Sequence, residues 1–279
     1  MVLLILLASC LILAAIVGRL YLHDFRRKRI MAMPFPSEWK NILEKNVPLY
    51  MNIPPVLKRQ LHGHIHVLLA EKHFEGCGGL EMSDEIKVTI AAQASILLLN
   101  RKATYYPRLH SILVYPSTFV ANDITYLGNQ AYIEGQAAHL GESWRAGIVI
   151  LAWDNVKRGA IDLNDGQNIV LHEFAHQLDQ EDGAANGAPL LGRSSTYITW
   201  ARILGKEYEK LQREVRRGLE TVMDEYGTAN PAEFFAVATE AFFEKPYEMK
   251  VTHPELYEAL KSYYRVDPLD WMNDVKGKK

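Results

Sequence analysis

Two cysteines in 279 residues, Cys10 and Cys77, are too few for a disulfide framework or a cysteine-rich zinc module. The formal net charge at pH 7 is −2, so the chain lacks the basic balance typical of nucleic-acid binding, and we expect no nucleic-acid partner. Internal repeats and low-complexity segments are also missing. Hydrophobic residues make up 48% of the chain, which is ordinary for a globular protein with a sizeable core. Because cysteines are so few, any metal must be held by histidines and carboxylates.

The N-terminal segment is different in composition, because residues 2–22 contain a single charged residue, Arg19. The long side chain of this arginine can reach the membrane interface, so the segment has the roughly 17–25 residues that a spanning helix needs. Four basic residues follow at Arg26–Arg29 and place the next domain on the cytoplasmic side. The sequence therefore predicts a transmembrane anchor at residues 1–25, in contact with the membrane through residues 2–22.

Alternative interpretations of this segment involve its removal or lipidation. A cleaved secretory signal needs a basic start, which this chain lacks. The run Leu7–Cys10 resembles a lipoprotein cleavage site, but the apolar stretch continues well past Cys10. We therefore predict a single-pass protein of the inner (cytoplasmic) membrane whose main domain faces the cytoplasm. A soluble cytoplasmic or lipid-anchored protein is the alternative.

The rest of the chain is predicted to be a helix-dominated α+β protein with a small sheet. Residues 26–50 are expected to form a basic juxtamembrane connector, residues 51–272 the folded domain and residues 273–279 a disordered tail. Apolar and β-branched stretches predict strands at 72–79, 111–115 and 148–153. Apolar residues three and four apart, with capping residues, predict helices at 55–72, 83–99, 164–180, 197–218, 231–245 and 254–264.

The run His172-Glu173-Phe174-Ala175-His176 matches the helical HExxH motif of zinc peptidases. Residues four apart on a helix are neighbours, with Cβ atoms roughly 5–6 Å apart, so both imidazoles can bind one ion. Zinc lowers the pKa of a bound water toward about 7, and Glu173 can then accept its proton as a general base. The motif predicts one Zn²⁺ per chain, with His172 and His176 as ligands and Glu173 as a catalytic residue.

The predicted zinc helix has two distinct faces. An apolar stripe that includes Leu171, Phe174 and Leu178 lies about 130° around the helix from the two histidines. One face is therefore expected to be buried in the core, while the histidine face is turned toward another partner. Asp179 lies three residues past His176 on the same face. It could accept a hydrogen bond from the distal N–H of a ligand histidine, as carboxylates around zinc sites often do.

A catalytic zinc site needs a third protein ligand and an open fourth position. One solution places this ligand six residues past the second histidine, which is Asp182 here. That solution needs a turn that glycine normally permits, and this chain has Asp179 at the turn position instead of glycine. The other solution is a glutamate from a later helix. Glu233 and Glu240 are seven residues apart on one face, and spacing alone does not choose between them. Against Glu233, Asn230-Pro-Ala-Glu233 is also a capping box, in which the glutamate binds the helix N-terminus.

The segment from Tyr226 to Phe243 resembles the second signature of the Mlc titration factor A family of zinc metallopeptidases. Further stretches resemble the same family in the same order: Gly79-Leu80-Glu81, Ile90-Ala91-Ala92-Gln93, Val114-Tyr115-Pro116, Glu142-Ser143-Trp144 and the zinc helix with Asp179. The resemblance covers about residues 35–271. A more distant similarity is to the catalytic domain of anthrax lethal factor, which has a similar Ala-Glu-Phe-Phe helix.

The resemblance implies a zincin-like fold in which Glu233 is the third ligand, ahead of Glu240 and Asp182. It implies that Tyr226 is catalytic, and a phenol is chemically suited to stabilise a developing oxyanion. Glu240 would then support the site from behind the ligands. Family members act as aminopeptidases on small test substrates and bind a sugar-responsive transcriptional repressor, although the best-known members are soluble and lack the predicted anchor.

We therefore predict a zinc-dependent, aminopeptidase-like hydrolase that acts on a peptide or protein substrate. The strand at 148–153, just before the zinc helix, is expected to hold an extended substrate through its backbone. The alternative is a regulatory protein that binds a transcriptional repressor and whose peptidase activity is secondary.

Overall fold

A computed structural model describes residues 1–117, 124–127, 130–133, 147–191 and 194–271. The described helices are α1 (Val2–Met31), α2 (Ser37–Asn46), α3 (Pro48–Asn52), α4 (Pro55–Glu71), α5 (Asp84–Ile96), α6 (Trp153–Ile161), α7 (Ile169–Asp179), α8 (Ser194–Arg216), α9 (Pro231–Glu244), α10 (Pro246–Thr252) and α11 (Pro254–Tyr264), with short 3₁₀ helices at Gln180–Asp182 and Glu225–Thr228. The described strands are β1 (His73–Gly76), β2 (Ser111–Tyr115), β3 (Ile124–Leu127), β4 (Gln130–Ile133) and β5 (Ile148–Ala152). The expected helix-dominated α+β architecture with a small sheet is confirmed. The motif Glu142-Ser143-Trp144 and the tail at 273–279 lie outside the described residues.

The main sheet is parallel and has the strand order β1-β2-β5. Parallel strands need a crossover connection, and α5 provides the one between β1 and β2. In the central strand β2, Ile112 and Val114 are buried, and in β5 the same is true of Val149 and Leu151. In the strand order β1-β2-β5, β5 pairs with β2 on one side, so it is an outer strand among the described strands. Strands β3 and β4 pair separately as an antiparallel hairpin.

The structure does not support the transmembrane helix predicted for the N-terminal segment. In the described part of the chain, no helix is long and apolar enough to cross a membrane, so the transmembrane anchor predicted at residues 1–25 is unsupported. Helix α1 runs without a break from Val2 to Met31, through the basic residues of the predicted connector. Its last turns dock on the domain, because the Arg27 guanidinium donates two 2.7 Å hydrogen bonds to Glu71 of α4 and lies 4.6 Å from the ring centre of Tyr105.

The helix with the HExxH motif begins later than predicted. Asn164 and Asp165 do not cap it; the cap is Asn168, whose Oδ1 accepts a hydrogen bond from the backbone N–H of Leu171. Asp165 instead accepts from the N–H of Gln167, in a turn where Gly166 adopts a left-handed φ of 73°. A separate helix, α6, occupies Trp153–Ile161, where the sequence predicted only the end of a strand.

Helix α7 is buried on nearly all sides. Its apolar face packs in the core, where the Phe174 ring meets the Tyr106 ring edge-on at 4.8 Å between centroids. The histidine face, which the sequence left without a partner, packs against α9. From Val170 to Asp179, Glu173 is the residue that is only half-buried. The packing therefore leaves solvent access beside the histidines at the position of the predicted general base.

Candidate metal centre

Two helices bring three potential metal ligands together. His172 and His176 lie one turn apart on α7, and Glu233 lies in the first turn of α9. Oε2 of Glu233 is 3.0 Å from Nε2 of His172 and 3.1 Å from Nε2 of His176, and the two nitrogens are 3.1 Å apart. All three residues are buried, and within the described residues they form the group whose side chains can hold a metal ion. Ligand atoms around a tetrahedral ion with bonds of about 2.0–2.1 Å are about 3.3 Å apart, so the spacing suits one ion.

Glu233 is placed by the capping residue before it. Oδ1 of Asn230 accepts hydrogen bonds from the backbone N–H groups of Ala232 and Glu233, each at 3.0 Å. The asparagine half of the predicted capping box is therefore formed. The glutamate half is not used in that way, because the Glu233 carboxylate lies against the two histidines of α7. The helix cap and the candidate ligand thus coexist in one turn.

Glu240 lies two turns further along α9 and contacts the other nitrogen of a histidine. Its Oε1 is 2.6 Å from Nδ1 of His172, and both side chains are buried. A carboxylate at Nδ1 accepts its proton, so Nε2, which faces Glu233 and His176, is the nitrogen that would bind a metal ion. Spacing alone left Glu233 and Glu240 as equal candidates. The structure places them at opposite nitrogens of the same ring.

The electrostatics of the cluster favour a positive charge. Burial by itself lowers the pKa of His172, but the carboxylates of Glu240 and Glu233 together raise it well above its usual value. Burial opposes ionisation of Glu233, but the neighbouring His176 and His172 hold the pKa of its carboxyl well below the usual range. The carboxylates that stabilise the proton on His172 would stabilise a metal cation at this position in the same way.

The sequence did not reveal the polar support behind the zinc helix. The side-chain amide of Asn168 donates to the carbonyl of Gly159 and to Oε1 of Glu244, both at 3.0 Å. Burial, together with the nearby charge of Glu240, raises the pKa of Glu244 well above its ordinary value, although the bond from Asn168 opposes this. The sequence did contain one indication of this contact. Glu244 lies four residues past Glu240, on the face of α9 that carries the two candidate ligands.

The predicted catalytic residues lie beside the cluster. Glu173 follows His172 directly on α7 and is half-buried. The Tyr226 ring is 6.2 Å from the His172 ring, measured between centroids, and lies in the 3₁₀ helix that precedes α9. Asp224 fixes this turn by accepting from the N–H of Tyr226 at 2.8 Å and from the Gln167 amide at 2.9 Å. The Gln167–Asp224 bond, which the sequence did not predict, therefore ties the tyrosine to the loop before the zinc helix.

Asp179 is buried, and its side chain accepts a hydrogen bond from a loop. Its Oδ2 accepts from the backbone N–H of Gly187 at 2.8 Å. Burial raises its pKa to about 6, although backbone N–H groups of the loop and the nearby His176 favour the charged form. The third-ligand alternative, Asp182, is exposed, and its carboxylate accepts from the N–H of Ala184. Asp182 therefore lies outside the cluster.

Comparison with known proteins identifies the family of the chain. The family model "Glucose-regulated metallo-peptidase M90" matches residues 22–265. The chain belongs to this family. Mlc titration factor A of Yersinia pestis and Mlc titration factor A of Yersinia pseudotuberculosis are each 30% identical to it over 236 residues, which is 84% of this chain and 86% of the relative. An uncharacterized protein of Synechocystis sp. is 42% identical over 259 residues, which is 92% of this chain and 94% of that protein.

Membership of the M90 family confirms the resemblance drawn from the motifs. It places the chain among the metallopeptidases and thereby implies a metal. The donor set of the described cluster, two imidazoles and one carboxylate, is suited to a transition metal, and zinc above all.

Proposed function

We propose that this M90 protein is a zinc-dependent peptidase with a zincin-like fold, in which His172, His176 and Glu233 hold the ion. The observation that carries the proposal is the convergence of three buried ligand atoms at mutual distances of 3.0–3.1 Å. Three protein ligands leave a tetrahedral ion with one open position, as catalytic zinc sites require. A structural zinc site would instead need a fourth protein ligand.

Zinc, when bound, would polarise the substrate carbonyl and lower the pKa of a water toward about 7. Glu173 is proposed to accept a proton from the attacking water and to deliver it to the leaving amine. Its position supports this role, because it adjoins His172 and is half-buried where the flanking residues of α7 are buried. Glu173 is also unnecessary for binding the ion, so its presence favours an enzyme over a site that only binds metal.

Tyr226 is proposed to donate its phenolic O–H to the oxyanion that develops at the scissile carbonyl. Its ring lies beside His172, and the Asp224–Gln167 contact fixes the backbone that carries it. Glu240 and Asp179 are proposed as positioning residues. Glu240 acts on His172 directly, while Asp179 acts through the loop at Gly187.

The substrate is proposed to be a peptide that adds to the outer edge of β5 as an extended strand. Support comes from the order β1-β2-β5, in which β5 has a described neighbour on one side only. The family resemblance favours an aminopeptidase-like activity. Matched peptides with a free or an acetylated amino terminus test this point, because an aminopeptidase cleaves the free form alone.

The Glu173→Gln variant tests the peptidase proposal. We expect it to retain one zinc per chain and to lose hydrolysis by about 10²–10⁴-fold, which is the usual contribution of a general base. Glu225→Gln is the matched control, since Glu225 is exposed next to Tyr226 and has no proposed role. Zinc content by elemental analysis and cleavage of a peptide library provide the two measurements. Undiminished hydrolysis in Glu173→Gln would refute the mechanism.

The second candidate function is regulation through a transcriptional repressor, with peptidase activity secondary. It is favoured by the similarity to proteins named Mlc titration factor A. The Glu173→Gln variant separates the two functions. If regulation is primary, the variant should bind a repressor of the Mlc type and relieve repression as well as the wild type does; if hydrolysis is primary, the biological effect should disappear with the activity.

The cellular location is a proposal from the sequence. The basic residues Arg26–Arg29 favour the cytoplasmic side of the inner membrane for the peptidase domain, and a soluble or lipid-anchored form is the alternative. Fractionation of the full chain beside a chain that lacks residues 1–25 decides between them. Recovery of both proteins in the soluble fraction would exclude a membrane location.

A further inference from the structure

A cavity that shares no described lining residue with the metal cluster lies where the segment after α5, the start of α8 and the end of α11 meet. Its volume is about 340 Å³, which is the size of a small-molecule site. Three cationic side chains line it, Arg101, Lys102 and Arg265, and none of its described lining residues is acidic. The cavity is therefore electropositive although the chain carries a net charge of −2.

The backbone is arranged so that the cationic residues meet. Asn100 and Arg265 both adopt the left-handed conformation, with φ of 54° and 57°, and the Asn100 side-chain amide donates to the carbonyl of Arg265 at 2.7 Å. This conformation is unfavourable for a residue with a long side chain such as Arg265. The Asn100–Arg265 bond joins two segments that are distant in sequence and sets Arg101 and Lys102 beside Arg265.

Within the described residues, none of the three cations forms an ion pair. The Arg101 guanidinium lies over the Tyr263 ring at 4.6 Å, and its buried Nη1 has no hydrogen-bond partner among the described groups. Glu181 interacts electrostatically with Arg101 but accepts its hydrogen bond from the Thr104 hydroxyl. A buried donor without a partner is unfavourable, and an anionic ligand would supply the missing acceptor.

The other residues that line the cavity indicate which further chemical groups the ligand carries. Ser262 contributes a hydroxyl group, and Tyr263 contributes a phenol that interacts with the Arg101 side chain. Trp200 contributes an aromatic surface. Cations bind a phosphoryl group through charge-assisted hydrogen bonds, while the hydroxyl groups and the aromatic wall suit a small polar ring. We propose that this cavity binds a small phosphorylated organic molecule through Arg101, Lys102 and Arg265.

Calorimetric titration of the full chain tests the proposal at constant ionic strength, with chloride as the balancing anion. The probes are a hexose monophosphate, inorganic phosphate and the unphosphorylated hexose. We expect the hexose monophosphate to bind with a Kd of about 1 mM or tighter and the unphosphorylated hexose not to bind. Binding should be the same in the Glu173→Gln variant, so that the result does not depend on whether the chain is a peptidase.

Two surface variants locate the site. Lys102→Gln and Arg265→Asn remove exposed charges, and asparagine tolerates the left-handed backbone at 265. Each should weaken binding by about tenfold, the equivalent of one charge-assisted hydrogen bond. Arg217→Gln, which removes an exposed charge beyond the end of α8, should leave binding unchanged. Equal weakening in all three variants would show a non-specific charge effect and overturn the proposal.

Two further results would also overturn it. Failure of the hexose monophosphate to bind at about 10 mM would exclude a site of useful affinity. Binding of inorganic phosphate as tightly as the hexose monophosphate would show that the walls around the cations contribute nothing, and an organic ligand would be excluded.

Discussion

Glu240 Oε1 lies 2.6 Å from Nδ1 of His172, while Glu233 Oε2 lies 3.0 Å from Nε2 of the same ring. One imidazole therefore bridges two carboxylates that are two turns apart on α9. Glu233 belongs to the candidate ligand set, and Glu240 fixes the ring and its tautomer. This arrangement gives two glutamates seven residues apart on one face of the helix separate contacts with the same ring.

Glu240→Gln should weaken zinc binding by about 10–100-fold, because the amide still accepts from Nδ1 but no longer provides a negative charge behind the ring. The measurement is competition for zinc with a chelator of known affinity. Glu244→Gln is the matched control one turn further along α9. Oε1 of Glu244 accepts from the Asn168 amide and not from a candidate ligand, and burial raises the pKa of its carboxyl well above the usual value. Equal zinc affinities in the two variants would contradict the role of Glu240.

The sequence predicted the parts of the site that depend on local geometry. His172 and His176 are four residues apart, and the helical repeat alone makes them neighbours. The choice between Glu233 and Glu240 depends on how α9 packs against α7. No local rule decides that, so from the residues alone the ligand stayed open until the family resemblance favoured Glu233.

The start of α7 shows the same limit. Asn164, Asp165 and Asn168 are all good N-cap residues, and the sequence favoured the first two. The structure uses Asn168, whose amide also binds Gly159 and Glu244. The Glu244 contact is 76 residues away in the sequence and invisible to any local pattern.

Tyr226→Phe should lower kcat by about 10²-fold or more while zinc content and KM stay close to those of the wild type, because the hydroxyl is proposed to act only in the transition state. Steady-state kinetics on a peptide substrate measures this. Tyr208→Phe is the control, since the Tyr208 hydroxyl binds the carbonyl of Thr228 in the same region without belonging to the proposed site. A Tyr226→Phe enzyme with wild-type kcat would assign the tyrosine to packing.

Asp179→Asn should make the stability of the metal-free protein depend less on pH. The pKa of Asp179 is raised to about 6 in the folded chain, so the folded state holds this proton more tightly than the unfolded state. Its contribution is fully present below the unfolded pKa of about 4 and is lost as the pH rises through about 6. Relative to the wild type, the variant should therefore gain about 2 kcal/mol in unfolding free energy between pH 4 and pH 7.

Urea denaturation of both proteins at these two pH values provides the measurement for Asp179. The asparagine Oδ1 can still accept the hydrogen bond from Gly187, so the loop contact is preserved. A difference between variant and wild type that is the same at both pH values would show that the pKa of Asp179 is the same in the folded and unfolded states, and the burial argument would fail.

Gly187→Ala should both destabilise the fold and weaken zinc binding. Gly187 has a φ of 74°, and a Cβ there would lie 2.4 Å from the carbonyl oxygen of Pro231, two residues before Glu233. Gly79→Ala is a matched control, with a φ of 81° and no atom within 4 Å of the added Cβ. Both variants should lose about 1–2 kcal/mol to the left-handed backbone. Only Gly187→Ala should lose more, and only it should bind zinc more weakly, because the clash displaces the first turn of α9. Thermal unfolding and zinc competition measure the two effects, and equal losses in both variants would show that the loop at Gly187 does not position Glu233.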